Sequence, residues 1–397
     1  WARSLVFLLL GASLAMADSW DPFADPAETA PEEPKAEPNC SAPAEGAPQK
    51  DLDQELLEDF IAGRLAPLIE EYHQLLRGLP NGPPCTSGEA ACRASGEPTP
   101  FGAQYLPVDA GDGRQRLVLY GDSITHGSPV CLSAPFCAAL ARRNAEELCV
   151  ENAGWGGLMA LMMPSPGSFP TAFGPLPLPR AEDLQCEHLC ILIGTNDAMS
   201  MCAPEAWTDL FKTAKRTEQP GQGGPPKLPE DWRTSCRPSP ELFERSLRDF
   251  VVRARAAGVQ RVALATPPAL GEELADVCSD RRMRRSPRAV LDELAAAVRR
   301  VARGQGCQVL PLLECMRARL GELQAAGRPV LPWTPSSFGK AMTAALRDPQ
   351  VRQVPLEDLG QESDRPALCY DLVHFNEAGA AIYAALVQRW LDCPLSS

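Results

Sequence analysis

The stretch "LVLYGDSITHG", residues 117–127, decides how the chain is read. Leu117, Val118, Leu119 and Tyr120 run straight into Gly121-Asp122-Ser123. An apolar run bounded by turn residues describes a strand buried on both faces. Ser123 is then either a nucleophile displayed at a strand end or one polar residue of a tight turn, since Gly, Asp and Ser all suit turns. Similar apolar runs fill 188–193, 261–266 and 307–312, with a weaker one at 148–152. Helical stretches lie between them. Residues 240–257 start with Ser239 as N-cap and Pro240 at the first helical position, and stop at Gly258. Residues 286–303 carry Val290, Leu294, Val298 and Val301 on one stripe, and 376–391 carry Ile382, Leu386 and Trp390 at helical spacing. This alternation predicts a parallel sheet covered by helices on each face. Ligands in such sheets sit outside the carboxyl ends of the strands. Ser123 and Asn196 both fall just past strand ends, so two distant segments meet at one rim.

A nucleophilic serine needs a base, a group that orients the base, and donors for the oxyanion. Four histidines are available: His73, His126, His188 and His374. His73 falls on an N-terminal helix and His188 opens a strand, so neither points to chemistry. His126 lies three residues after Ser123 and reads as a loop residue or a neighbour of the substrate rim. His374 sits in "YDLVHFNEAG" (370–379), three residues after Asp371. On the turn into a helix that spacing lets the carboxylate accept the imidazole N–H; a capping Asp followed by a surface His gives the same pattern. "GTND" (194–197) offers the Asn196 amide as an oxyanion donor or a turn residue. "NAGWGG" (152–157) offers backbone N–H groups that a ligand can approach closely, or a plain glycine turn.

Taken together and in this order, Gly121-Asp122-Ser123, the glycines of 154–157, Gly194-Thr195-Asn196-Asp197 and Asp371-x-x-His374 resemble the SGNH hydrolases, the GDSL lipase/esterase family. The resemblance implies an α/β fold, a flavodoxin-like three-layer sandwich with a central parallel sheet. It implies Ser123 as nucleophile, His374 as base and Asp371 as the orienter of His374. The implied oxyanion hole joins the Ser123 N–H, Gly157 (with Gly156 as the alternative) and the Asn196 side chain. The implied reaction passes through an acyl-enzyme with no metal and no cofactor, on a small-molecule, glycan or lipid ester. Small or medium acyl groups are the first expectation. "LMALMMP" (158–164) keeps a lipid acylhydrolase open, although Leu and Met at this spacing also describe core. Acyl transfer and a retired hydrolase serving as a binding module are the remaining alternatives. No G-x-S-x-G elbow occurs, which argues against an ordinary α/β-hydrolase.

The 397 residues are 45% hydrophobic with net charge −13, a balance that disfavours nucleic acid. Six of those negative charges come from 18–50, a segment of seven prolines and little apolar bulk that reads as a disordered linker. Before it, "WARSLVFLLLGASLAMA" (1–17) has the pattern of a secretory signal peptide with a truncated start, so a secreted product is expected. The run is too short to span a bilayer, and no membrane span is expected. In an oxidising compartment some of the 15 cysteines pair; Cys85 with Cys92 and Cys131 with Cys137 are local candidates, while Cys190 and Cys307 read as buried thiols. Residues 51–78 predict a helix packed on the main domain, broken at Pro67, with Leu57, Ile61, Leu65, Leu68, Tyr72 and Leu75 near one face. Loop follows to 113, and the hydrolase domain runs 114–397 with irregular insertions at 199–238 and 321–365. The basic run "RRMRRSPR" (281–288) reads as a solvated face.

Overall fold

A computed structural model describes residues 52–79, 98–99, 102–103, 113–127, 135–164, 170–171, 174–175, 178–205, 238–271, 280–328, 331–347 and 367–393. The expected signal, linker and Cys85–Cys92 pair lie outside the described residues, as does the Gly/Pro-rich part of the first insertion. Five parallel strands form the central sheet: β1 Gln115–Gly121, β2 Leu148–Gly154, β3 His188–Leu192, β4 Arg261–Ala265 and β5 Gln308–Leu310. Their spatial order is β2-β1-β3-β4-β5. That is the flavodoxin-like order, with its switch point between β1 and β3. The helices are α1 Leu52–Ile61, α2 Ala66–Arg77, α3 Ser123–His126, α4 Phe136–Arg143, α5 Thr195–Cys202, α6 Pro240–Ala256, α7 Pro287–Gln305, α8 Leu312–Ala325, α9 Pro335–Arg347 and α10 Glu377–Asp392.

Side chains alternate across the strands and so serve two helical layers. Tyr120 on β1 stacks on Phe250 of α6, ring centroids 4.6 Å apart. On β3 the Cys190 thiol meets the Tyr383 hydroxyl of α10 at 3.3 Å. Tyr120 pairs in register with Ile191, the residue after Cys190, so the two contacts leave opposite faces of the sheet. Helices α5, α6 and α7 pack as one group, and α10 with α2, α4 and α8 as another. Every residue of β3 and β4 is buried, which is why these strands read as unbroken apolar runs.

Several expectations change. The N-terminal helix does break, but at a turn over 62–65, where Gly63 takes φ 72. Pro67 instead lies in the first turn of α2, where its missing N–H costs nothing. The buried face is Leu56, Leu65, Tyr72, His73 and Leu76, whereas Ile61 is 64% exposed. This helix pair is nonetheless part of the domain. The Arg299 guanidinium reaches both Asp53 of α1 and Glu314 of α8, and Tyr72 donates to Gln388 of α10 at 2.7 Å. The expected loop 79–113 contains a two-residue ladder, Pro98–Thr99 against Gly102–Ala103. Neither insertion is irregular at its start: 199–202 completes α5, and 321–347 holds the end of α8 and all of α9. Cys137 is a free thiol donating to the Thr125 carbonyl, not half of a disulfide; Cys190 and Cys307 are both free, Cys190 buried as expected and Cys307 only half-buried. In the basic run, Arg282 pairs with Asp280 and Arg284 with Glu205.

Candidate active site

Strands β2, β1 and β3 are hydrogen-bonded neighbours, and each of the first three motif blocks follows one of them. Gly121 at the end of β1 stands in register with Gly154 on one side and Leu192 on the other. The chain then turns sharply. The Asp122 side chain caps α3 by accepting from the Ile124 N–H at 2.9 Å, which sets Ser123 at the first helical position. The N–H groups at the start of a helix have no partner inside it.

Ser123 Oγ lies 2.9 Å from His374 Nε2, across 251 residues of sequence. His374 Nδ1 lies 2.8 Å from Asp371 Oδ2. Nδ1–H donates to the carboxylate, so Nε2 is the acceptor facing the serine hydroxyl. Asp371 and His374 do not sit on a helical turn, as the spacing suggested. They belong to an irregular loop closed by a bridge between Cys369 and Phe375, and α10 begins only at Glu377, capped by Asn376. The second Asp371 oxygen accepts from the Val373 and His374 N–H groups at 3.1 and 2.8 Å. Between Asp371 and Val373, Leu372 adopts φ 74, unusual for a residue with a branched side chain. Its carbonyl is held by the Gly271 N–H at 2.7 Å.

The glycine block is tied to the serine turn by Asn152. Its Nδ2 donates to the Thr125 and His126 carbonyls at 2.9 and 3.2 Å, and its Oδ1 accepts from the Gly154 N–H at 2.9 Å. Gly154 is required by contact: a Cβ there would lie 2.2 Å from the His126 nitrogen. Gly157 is required by conformation, with φ 81 and open space where a Cβ would stand. Leu158 follows it, buried, with its N–H on the Trp155 carbonyl. Asn196 is buried at the start of α5, and its Nδ2 donates to the Leu158 carbonyl at 3.0 Å, leaving its second N–H. Met159, Ala160, Met162 and Met163 join the core. Asn152, which the sequence offered only as a spacing landmark, and Asp197, whose Oδ2 accepts from the Ala160 N–H at 3.1 Å, are the structural members sequence reasoning passed over. A polar residue at the end of a buried strand was the available signal for the first.

The electrostatics are uneven. Burial opposes charge on His374, but Asp371 through attraction and hydrogen bonding, with help from Asp122, raises its pKa above the usual histidine value. Burial pushes Asp122 up to about 6 and Asp197 up to about 7, the latter raised further by Asp122. His126 is not a loop residue: it ends α3, buried, and burial lowers it to about 4, the neutral form at working pH. His73 is fully buried beneath α10, and His188 faces Gln115 at the opposite end of the sheet. Among the described residues no cluster of three or more His, Cys, Asp or Glu is arranged to hold a metal ion, and no helix is long and apolar enough to cross a membrane.

Solved structures that resemble the chain include LAE5, an alpha/beta hydrolase enzyme from the metagenome of Lake Arreo, Spain (18% identity, 73% of this chain and 99% of that chain, TM-score 0.40). Others are the acetyl xylan esterase AlAXEase (14%, 70% and 99%, TM-score 0.38) and Axe2, an acetylxylan esterase from Geobacillus stearothermophilus (15%, 70% and 95%, TM-score 0.39). At these TM-scores the likenesses carry no functional argument. A search of curated protein sequences finds no match. The profile of the GDSL-like Lipase/Acylhydrolase family matches residues 119–382, a span that contains all four motif blocks and the strands β3, β4 and β5. The chain belongs to the GDSL-like lipase/acylhydrolase family.

Proposed function

We propose that the chain is a serine hydrolase of carboxylic esters that works through an acyl-enzyme, with small or medium acyl groups favoured. The observation that carries this reading is the continuous bond chain Ser123 Oγ, His374, Asp371, with contacts of 2.9 and 2.8 Å. In this reading Ser123 Oγ attacks the ester carbonyl while His374 Nε2 takes its proton. The buried Asp371 holds the imidazole by Nδ1–H and stabilises the cation that forms. Negative charge developing on the carbonyl oxygen is met by the Ser123 and Gly157 N–H groups and the free N–H of Asn196. His374 returns the proton to the leaving alcohol, and water then repeats the sequence to release the acid. The geometry lends no support to a retired module, because nucleophile and base are already within hydrogen-bond reach. A lipid acylhydrolase would need a long apolar channel. The Leu/Met stretch once eligible for it is mostly spent in the core, which favours shorter acyl groups. We further propose export through the secretory route on the strength of the 1–17 pattern.

The test is hydrolysis of p-nitrophenyl esters from acetate upward by wild type and Ser123→Ala. Short esters should turn over fastest, and the variant should lose at least about 10⁴-fold in kcat while keeping its fold. Equal turnover by the variant would end the assignment, and a rate that climbs steadily with chain length would move the substrate to lipid.

A further inference from the structure

Asp197 is a buried acid, 1% exposed, that the reaction above does not use. Burying a carboxylate is costly, so a site that needs only volume there would be better served by an apolar residue. Its Oδ2 accepts from the N–H of Ala160, the first residue of the 3₁₀ turn Ala160–Met162. The residue ahead of that turn, Met159, supplies no side-chain cap. Asp197 therefore caps it from another element, the first turn of α5. One residue earlier, Asn196 Nδ2 grips the Leu158 carbonyl. The two rungs have opposite polarity, a donor onto a carbonyl and an acceptor for an N–H. A segment held both ways can neither slide nor rotate without losing one.

That segment continues directly from Gly157. Nothing packs around the position of a Gly157 Cβ, and its φ of 81 is one that only glycine adopts freely. The direction of the Gly157 N–H is therefore governed by what holds its flanks. On one side is the Leu158 N–H bond to the Trp155 carbonyl; on the other is the clasp from α5. We propose that Asp197 is a positioning residue for the oxyanion hole: its carboxylate pins residues 158–160 so that the Gly157 N–H and the Asn196 amide converge on one point. The role rests on the esterase reading above. It needs an acceptor at this position and not a charge, which fits an acid whose burial and whose neighbour Asp122 both resist ionisation.

Wild type, Asp197→Asn and Asp197→Leu are compared by kcat and KM on p-nitrophenyl acetate, together with amide hydrogen exchange over 155–162. Asn keeps an acceptor; Leu fills the volume without one. Asn should stay within about threefold of wild type. Leu should lose about 100-fold in kcat with KM within about twofold, as a small misplacement at a reacting centre does. Exchange at Ala160 should quicken in Leu and not in Asn. An unchanged kcat in Leu, or an Asn variant as damaged as Leu, overturns the proposal. If wild type hydrolyses no ester, the esterase reading fails instead, and the exchange comparison alone decides whether the clasp exists.

Discussion

The two ends of the same sheet handle buried charge in opposite ways. At the amino end, Arg116 of β1 pairs with Glu151 of β2 at 2.6 Å, both buried. Arg261 of β4 turns its guanidinium onto the Trp390, Leu391 and Cys393 carbonyls at the end of α10 and lies over the Trp390 ring. Those carbonyls are the negative pole of the helix, so the cation is compensated twice. His188 is kept neutral, lowered to about 4 by burial and then by Arg261. At the carboxyl end like charges converge instead. Asp122 and Asp197 are both buried, Asp122 raises the cost of ionising Asp197, and the group that gains is His374, from Asp371 first and then from Asp122. Opposite signs matched one to one make a seal. Acids gathered around a single imidazole make a site tuned for taking up a proton.

The sharpest way to break this contrast is to remove a partner at each end. Asp371→Asn deletes the charge that favours the His374 cation and upsets its tautomer. The expected loss is about 10⁴-fold in kcat at pH 8, with the melting temperature little changed. Steady-state kinetics beside a thermal melt check it, and a loss under tenfold would remove Asp371 from the reaction. Glu151→Ala is the counterpart. It removes the buried carboxylate that Arg116 bonds at 2.6 Å, so stability should fall by about 3–5 kcal/mol in denaturant titration while kcat of the folded fraction holds. If Glu151→Ala instead depressed kcat in fully folded protein, the division between sealing end and working end would be wrong. Asn196→Ala follows in size. Losing one oxyanion donor should lower kcat about 10²–10³-fold. Here part of the loss should come from the released Leu158 carbonyl, so faster exchange across 155–160 should accompany it.

What the chain discloses before folding follows the same division. The strands were legible because burial on both faces leaves no polar residue to interrupt the apolar runs. Helix α6 was legible from its ends: Ser239 does accept from the Leu242 N–H, and Gly258 does take φ 100. Helix α5 was not, because all eight of its residues are buried and no polar face marks its period. Helix α9 hid for a smaller reason. Thr334 and Ser337 exchange side-chain bonds onto each other's N–H at 2.7 and 3.0 Å. That is a capping box with serine where glutamate or glutamine is the usual sign. At the site, the bond-forming side chains were legible as motif residues, but their geometry was not. The loop that joins Asp371 to His374 depends on the strained backbone of Leu372 and on the Gly271 N–H a hundred residues away. Asn152 and Asp197 bind backbone atoms, and apart from the polar residue at a buried strand end that marks Asn152, backbone partners leave no mark in a sequence.

The smallest effect is also the one that separates the two ends by pH. Asp197 has its folded pKa raised to about 7 from 3.8. Between those values the folded protein holds a proton on Asp197 that the unfolded chain lacks, so this group's contribution weakens the fold as pH rises through the window and is constant above it. Asp197→Asn cannot titrate and loses that slope. Relative to wild type, the variant should gain about 2 kcal/mol between pH 5.5 and 9, most of it by pH 7. His188 carries the opposite sign: with its folded pKa lowered to about 4, its contribution is whole above 6.5 and is lost as pH falls toward 4. His188→Gln should therefore flatten the acid side of the same curve. Denaturant titrations of the three proteins across this range read both slopes. If Asp197→Asn runs parallel to wild type, the acid is ionised in the folded protein at little cost, and the carboxyl end is as well compensated as the amino end.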